Sequence, residues 1–382
     1  MYIIGAGISG LTIADFYKKG KDILVIEKND CIGGRIKTLN SDSSYFEIGS
    51  QFFCKSDSHF RKLIDEKNLN EDLILLDFSD ISFYHKNNLF KNIDDIIYVI
   101  QRILEQSNTI EENEYFDDWF LKNFDEDKLF VPKGIIRAIT FSDSSNVLAY
   151  YGKYILETFF EDCYTFKNGL EEIINSLSKN ICIEQKMIKK FIIRDHKIAG
   201  MKTDNGYIDT TDDIIVSTAA PGEIEIDNHS KLNSILNNIT FNGCIVLFFK
   251  IQSTFSDLPS YIFFPEIKYK ISVIEQFKIG KDSFIGFLLP YQNVSYEKEF
   301  VISESINFIE KIFRKNIEDD IIDTFYYNWK KGMPIVNEKY VSAVKNLKKI
   351  NIKNLYFAGD YTTLYPSMDS AVKSGFEIIE KV

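Results

Sequence analysis

Proline is rare in this chain, at 7 of 382 residues, and histidine and tryptophan are rarer, at 4 and 2. No Pro-, Gly- or Ser-rich stretch reads as a tether, so domain boundaries are expected where the chain crosses between packed lobes. The histidines (His59, His85, His196, His229) stand far apart and form neither HExxH nor HxH, which leaves no ligand set for a catalytic zinc, and no metal site is expected. The five cysteines (Cys31, Cys54, Cys163, Cys182, Cys244) include no CxxC pair, and their odd number in a long chain points to reduced thiols in a cytoplasmic setting rather than a disulfide framework. Positive charge is also short. Lys and Arg number 45 against 56 Asp and Glu, a net charge of −11, and no dense basic block interrupts the excess, so a nucleic-acid footprint is missing and attraction to anionic lipid is weakened. Apolar runs such as Ile245 to Phe249 fall far below the ~20 residues of a membrane span. Met1 to Ile4 is too short for the apolar part of a signal peptide, and a soluble, non-exported protein is expected.

What remains is a composition of 45% apolar, 26% charged and 14% aromatic residues, enough to bury a sizeable core and, at this length, to form two domains. The opening YIIGAGISGLTIADFYKKGKDILVIEK reads as strand, glycine turn, helix with Leu11, Ala14 and Tyr17 on one face, and a second strand ending at Glu27, which is a βαβ unit. Residues 54 to 165 read as an inserted helical region, with Ile93, Ile96, Ile97, Ile100, Ile103 and Leu104 at helical spacing. That stretch could lie on a bilayer, but Asp94, Asp95 and Glu105 flank it instead of a basic face, so burial against the rest of the protein is the preferred reading. From Phe166 a glycine-punctuated helix leads into short strands expected to return to the first sheet. Residues 241 to 300 carry aromatic β-runs expected to form a second, antiparallel sheet, followed by a helix over 301 to about 315. The chain closes with a strand, a loop and a helix from about Ser367.

Gly5, Gly7 and Gly10 form GxGxxG between a strand and a helix, with Ile8 and Ser9 at the helix start. Such glycines permit the tight turn, the close approach of backbone N–H groups to a pyrophosphate, and the packing of helix on strand. Glu27, followed by Lys28, lies 20 residues beyond Gly7, where a carboxylate accepts from ribose hydroxyls. Gly33, Gly34 and Arg35 follow, two glycines for close backbone approach and a guanidinium to answer phosphate charge.

With these residues the sequence resembles the flavin-dependent amine oxidase superfamily, which includes polyamine oxidases, protoporphyrinogen oxidases, phytoene-type desaturases and renalase-like proteins. The resemblance runs along nearly the whole chain. FEIGSQFF looks like the segment that runs beside the isoalloxazine, which implies roles for Gly49, Ser50 and Gln51. TFKNGLEEIINSL resembles the glycine-initiated helix before the adenine-side strand, which brings Ile188 to the adenine, and YNWKKGMPIVNEKY resembles the Trp-containing strand and its proline loop. AGDYT followed by PSMDSAVKSG is the strongest C-terminal match. There Gly359 and Asp360 end a strand where a carboxylate can take a ribityl hydroxyl, and Ser367, Met368 and Asp369 open a helix whose N–H groups can stabilise charge on reduced flavin. Trp329, Tyr361 and Tyr365 fall where relatives line the pocket over the flavin, and ordinary core packing is the alternative for each in a chain with 32 Phe and 21 Tyr. Cys244 stands where many amine oxidases carry a lysine near flavin N5. It reads as a buried inert thiol, with Lys330 or Lys331 as substitutes unless they are merely solvated.

The resemblance implies an α/β fold. A Rossmann-type FAD-binding domain is built from 1–53, 166–222 and 350–382, and a discontinuous second domain of mixed sheet plus helices from 54–165 and 223–349 binds substrate. It implies noncovalent FAD, hydride transfer from a C–N or C–H bond of a small organic substrate, amine or porphyrinogen-like, and reoxidation by oxygen or another acceptor. A desaturase or dehydrogenase acting on an apolar polyene-like substrate is the alternative enzyme, and a binding protein with structural FAD the alternative outside enzymes. A nicotinamide dehydrogenase is disfavoured, because no second GxGxxG is present.

Overall fold

The structure is a computed structural model that describes residues 1–17, 22–41, 44–91, 93–252, 259–279, 281–292, 296–314 and 316–382. It has the α/β, two-lobed architecture expected. The first lobe centres on a five-stranded parallel sheet in the order Ile183–Gln185, Leu24–Glu27, Tyr2–Ile4, Ile215–Ser217, Leu355–Phe357. Strands buried on both faces need apolar residues throughout, and Ile3, Val25, Ile26, Ile215 and Val216 supply them. The helix Ile8–Phe16 differs from the one-faced reading. Ile8 through Ile13 are all buried, because the helix is wedged between the sheet and the terminal helix Met368–Lys381.

The strands after residue 182 divide between two sheets. Ile183–Gln185 and Ile215–Ser217 return to the first, as expected, while Ile188–Arg194, Lys197–Thr203 and Tyr207–Asp209 join Glu225–Ile226 in a separate four-stranded sheet. The helix Ser58–Lys67 falls within the span assigned above to the second domain. Its Phe60, Leu63 and Ile64 nevertheless enter the same core as the first and terminal helices.

The second lobe rests on a seven-stranded sheet in the order Ile321–Pro334, Phe241–Ile251, Asp282–Tyr291, Val273–Ile279, Tyr261–Phe263, Ile81–His85, Asn88–Phe90. It is antiparallel except where Tyr261–Phe263 meets Ile81–His85. The last two strands come from the region read as helical, so that region is mixed. Alternation along Phe241–Ile251 sends Ile245, Leu247 and Phe249 onto the helix Lys298–Phe313, and Cys244, Val246 and Phe248 to the opposite face. That opposite face looks toward the first lobe. Phe46, the first residue of the segment expected beside the isoalloxazine, packs on Phe248, Phe284 and Phe325, with ring centroids 4.9, 5.4 and 4.8 Å away.

Four helices, Ile93–Glu105, Phe116–Asn123, Phe130–Thr140 and Ala149–Thr158, cap this lobe. Ile96, Ile100 and Ile103 are buried against the third and fourth of them, as the packing reading of that stretch expects. Among the described residues no helix is long and apolar enough to cross a membrane. Arg137 is buried among carbonyl oxygens of the 264–271 loop, donating to Phe264, Glu266, Tyr269 and Ile271. Burial lowers its pKa to about 10, and the four carbonyls fix the loop in place of a carboxylate partner.

Candidate cofactor and substrate site

The N-terminal glycine turn and the Gly33–Arg35 turn lie against each other. Gly33 N–H donates to Ala6 O at 2.8 Å, and a Cβ on Gly34, whose φ is +63°, would stand 3.2 Å from Gly7 Cα. A Cβ on Gly10 would run into Gly5 O, so this position requires glycine for the helix to pack on the turn. No side chain caps the helix Ile8–Phe16 at Gly7, which leaves its leading N–H groups available to an anion. Glu27, at the end of its strand and buried, accepts from Ala6 N–H at 2.8 Å and from both nitrogens of Asn29 at 2.9 Å. A carboxylate has about four acceptor positions, so one remains for a ribose hydroxyl. Lys28 is paired with Glu223 at 2.7 Å, and Ile188 opens its strand, buried, two residues after Lys186, whose N–H donates to Glu27 O.

The C-terminal motif folds back onto this cradle. Ser374 Oγ lies 3.1 Å from Ser9 Oγ and accepts from Gly359 N–H at 2.8 Å, tying the first helix to the last strand's end. Asp360, 3% exposed, accepts from Arg35 Nη2 at 2.5 Å, while Arg35 Nη1 donates to Gly332 O at 3.0 Å. Burial by itself would lower the Arg35 pKa, but Asp360 more than offsets it and the guanidinium is held above its ordinary value. About a third of its side chain is still accessible, 35%, so the pair is partly open to solvent and is not sealed in the core. Ser50 N–H donates to Arg35 O at 2.9 Å, and a Cβ on Gly49 would collide with that same carbonyl. The segment expected beside the isoalloxazine is thus pinned to the arginine turn.

Ser367 and Ser370 form a reciprocal capping box on the helix Met368–Lys381, leaving the N–H groups of Met368 and Asp369 as its leading donors. The Asp369 carboxylate has a second task that the sequence reading missed. It accepts from the N–H groups of His59 and Phe60 at 2.6 and 2.8 Å and lies 3.1 Å from His59 Nδ1, so it caps the helix Ser58–Lys67 from a distant part of the chain. Asp369→Ala is expected to lower stability by about 1–2 kcal/mol, measured by denaturant unfolding, with Asp369→Asn recovering part of the loss. An unchanged midpoint would show the contact to be dispensable.

The residues expected over the flavin divide. Trp329 sits directly across from Cys244 on the neighbouring strand, donates its indole N–H to Ile48 O, and stacks at 4.5 Å from Tyr327. Tyr365 is 44% exposed and packs with Tyr150 and Tyr154 at 5.4 and 5.1 Å, an open aromatic cluster. Tyr361 differs from its expected place on the pocket wall. It is 3% exposed, donates to Ser217 O at 3.2 Å and belongs to the core beside the first sheet. Cys244 is fully buried, and burial raises its pKa, so it stays a neutral thiol with no acid–base role. Lys331 does not take the place of the missing lysine either, because its ammonium donates to Pro221 O at 2.8 Å, and Lys330 is exposed.

Sequence reasoning missed Glu275. On the sheet face that looks toward the first lobe, Phe325, Phe248, Gly286, Glu275 and Tyr261 lie side by side on adjacent strands. Glu275 is buried and accepts from Gln51 Nε2 at 3.1 Å. Burial pushes its pKa up to about 7, and the hydrogen bond from Gln51 only partly counteracts this. A lone acid in the alternating VIEQFKI run carries no sequence signal of this kind. A wide surface depression of about 680 Å³, lined by His85, Phe130, Lys133 and Glu266 among others, shares no residue with the segments described above.

Residues 3–66 match the model of an NAD(P)-binding Rossmann-like domain family. A probable flavin-containing monoamine oxidase A of Dictyostelium discoideum is 21% identical over 161 residues, 39% of this chain and 35% of that protein. A corticosteroid-binding protein of Candida albicans is 26% identical over 255 residues, 56% of this chain and 51% of that protein. The matches therefore span about a third and about half of these relatives' lengths. Among solved structures, a putrescine oxidase double mutant has a TM-score of 0.78 at 13% identity, covering 100% of this chain and 98% of that one. A candidate protoporphyrinogen oxidase from Exiguobacterium sp. 255-15 has a TM-score of 0.77 at 14% identity, covering 100% and 97%.

Proposed function

We propose that this chain, which belongs in motif and fold with the superfamily of flavin-dependent amine oxidases and protoporphyrinogen oxidases, is an FAD-dependent oxidoreductase that takes hydride from a small organic substrate, with a cationic amine as the favoured class. The observation that carries the FAD reading is the packing of sequence-distant segments against one another: the glycine turn at 5–10, the Gly33–Arg35 turn, Gly49–Gln51, and the stretch that begins at Gly359 and Asp360. Their chemistry fits the cofactor, with uncapped N–H groups for the pyrophosphate, Glu27 for a ribose, and Asp360 for the ribityl chain. When bound, FAD supplies the redox chemistry, accepting hydride at N5 and passing electrons to oxygen or another acceptor. The protein's part is to hold and to exclude. The N-terminus of the helix Met368–Lys381 would stabilise negative charge at the flavin's pyrimidine end, and Trp329, Tyr327 and Phe325 would keep water from the substrate carbon. No cysteine lies in the C-terminal motif, which supports noncovalent binding, and the five free thiols suit the cytoplasm.

Glu275 favours an amine over a porphyrinogen or polyene. A carboxylate buried in an aromatic wall, with a neutral amide as its partner, gains most from a cationic ligand group. The test is anaerobic bleaching of the flavin by a panel of primary amines, polyamines, a porphyrinogen and apolar polyenes. Bleaching by amines is expected; bleaching by a porphyrinogen or polyene alone would overturn the amine assignment, and tightly held FAD that no donor reduces would favour a binding protein.

A further inference from the structure

Cys54 ends the strand Phe53–Cys54 and Cys163 begins the strand Cys163–Phe166, and the two residues lie directly opposite each other in an antiparallel pair. Their sulfurs are 2.9 Å apart, and both residues are buried, at 7% and 2% exposed. Facing residues in such a ladder hold their Cα atoms about 4.5–5.5 Å apart, inside the roughly 4.4–6.8 Å that a disulfide spans. The covalent bond is about 2.05 Å long, so closure asks the thiols to move by less than about 1 Å. The helix Ser58–Lys67, which packs in the first lobe, and the four capping helices all lie on the loop that begins at Cys54 and closes at Cys163.

We propose that Cys54 and Cys163 form a peroxide-oxidised disulfide that clasps the base of this loop. One thiolate attacks hydrogen peroxide, breaking its O–O bond to give a sulfenic acid and, with a proton, one water. The second thiol's sulfur then displaces the sulfenic oxygen, which leaves as a second water, and the S–S bond forms. Two thiols and one peroxide thus become one disulfide and two waters, the sulfurs losing two electrons and the peroxide oxygens gaining them. The contact with Cys163, and then burial, hold the Cys54 thiol well above its ordinary pKa. The reaction is therefore slow, and burial restricts it to a small oxidant. The other three cysteines have no such partner: Cys31 and Cys182 are exposed, and Cys244 is buried on the large sheet.

The test uses the reduced full-length protein with its cofactor, treated with hydrogen peroxide, unfolded and labelled with a maleimide. Five reactive thiols are expected before treatment and three after. A 2 Da mass loss and a Cys54–Cys163 cross-linked peptide should accompany the change, both reversed by reductant. Closing a loop of about 110 residues should raise Tm by on the order of 5 °C or more under non-reducing conditions. Cys54→Ser and Cys163→Ser should each abolish these changes. Should either fail to fold, a Cys31→Ser, Cys182→Ser protein keeps the question answerable, since it must still lose two thiols. Five thiols surviving peroxide, oxygen added at Cys54 in place of the cross-link, or a bridge to another cysteine would overturn the proposal. Because the oxidant is added directly, the outcome is independent of which substrate reduces the flavin.

Discussion

Asp360→Ala should yield a protein that purifies largely without flavin. The side chain is nearly inaccessible and joined to Arg35 at 2.5 Å, and under the proposed function it would accept from a ribityl hydroxyl. A hydrogen bond to a charged group is worth about 1.5–3 kcal/mol, so FAD affinity should fall by about 10- to 100-fold from that contact alone. The same change strands the Arg35 guanidinium. Breaking a fully buried pair costs about 3–5 kcal/mol, and because a third of the Arg35 side chain is reached by solvent the expected loss is smaller, about 2–3 kcal/mol. Loss of flavin and loss of stability are separable. Adding Arg35→Met to Asp360→Ala should restore part of the stability by removing the stranded charge, while flavin binding stays poor. The readouts are the ratio of flavin to protein absorbance and the unfolding midpoint of the apoprotein. A full complement of flavin in Asp360→Ala would remove Asp360 from the cofactor site.

Glu275→Gln is expected to trade activity for stability. The carboxyl titrates near 7 in the folded protein and near 4.5 when unfolded, so the folded state binds the proton more tightly. Stability from this group is present below about pH 4.5 and is lost as pH rises through about 7; at pH 8 the loss is about 3 kcal/mol. Glutamine keeps the shape and can still bond to Gln51, so the variant should be more stable than the parent at pH 8 and little changed at pH 4.5. If a substrate ammonium sits against Glu275, KM for cationic amines should rise at least about tenfold in the variant, while neutral donors are unaffected. Equal losses for charged and neutral donors would reduce Glu275 to a packing role.

The cofactor end was readable because its signals are local. A turn with glycine at 5, 7 and 10, an acid at the next strand's end, and a Ser-capped helix after a proline each declare themselves within a few residues, and the helix after the turn and the Ser-capped helix pack on each other. The helical reading of residues 54–165 missed the strands Ile81–His85 and Asn88–Phe90, because short strands at a sheet edge carry only three to five residues of pattern. Ile81–His85 joins the sheet by pairing with Tyr261–Phe263, about 180 residues away in sequence, and Asn88–Phe90 pairs in turn with Ile81–His85. Tyr361 and Tyr365 show the limit for aromatics. They stand four residues apart in one motif, yet one fills the core and the other lines an open cluster, and only tertiary packing separates them. Glu275 was invisible for the same reason: its burial is set by Phe248 and Tyr261 on other strands.

The parallel sheet of the first lobe also sets a timetable. Its strand Leu355–Phe357 and the helix Met368–Lys381 are made about 350 residues after the glycine turn that they complete. At about 5–20 residues per second, the nascent βαβ unit waits on the order of half a minute before Ser374 can reach Ser9 and Asp360 can reach Arg35. During that interval Ile3, Leu11 and Val25, which end fully buried, have only part of their packing available. The site proposed for FAD is therefore complete only after synthesis of the C-terminal segment, and the exposed half-sheet is the species that a chaperone would meet.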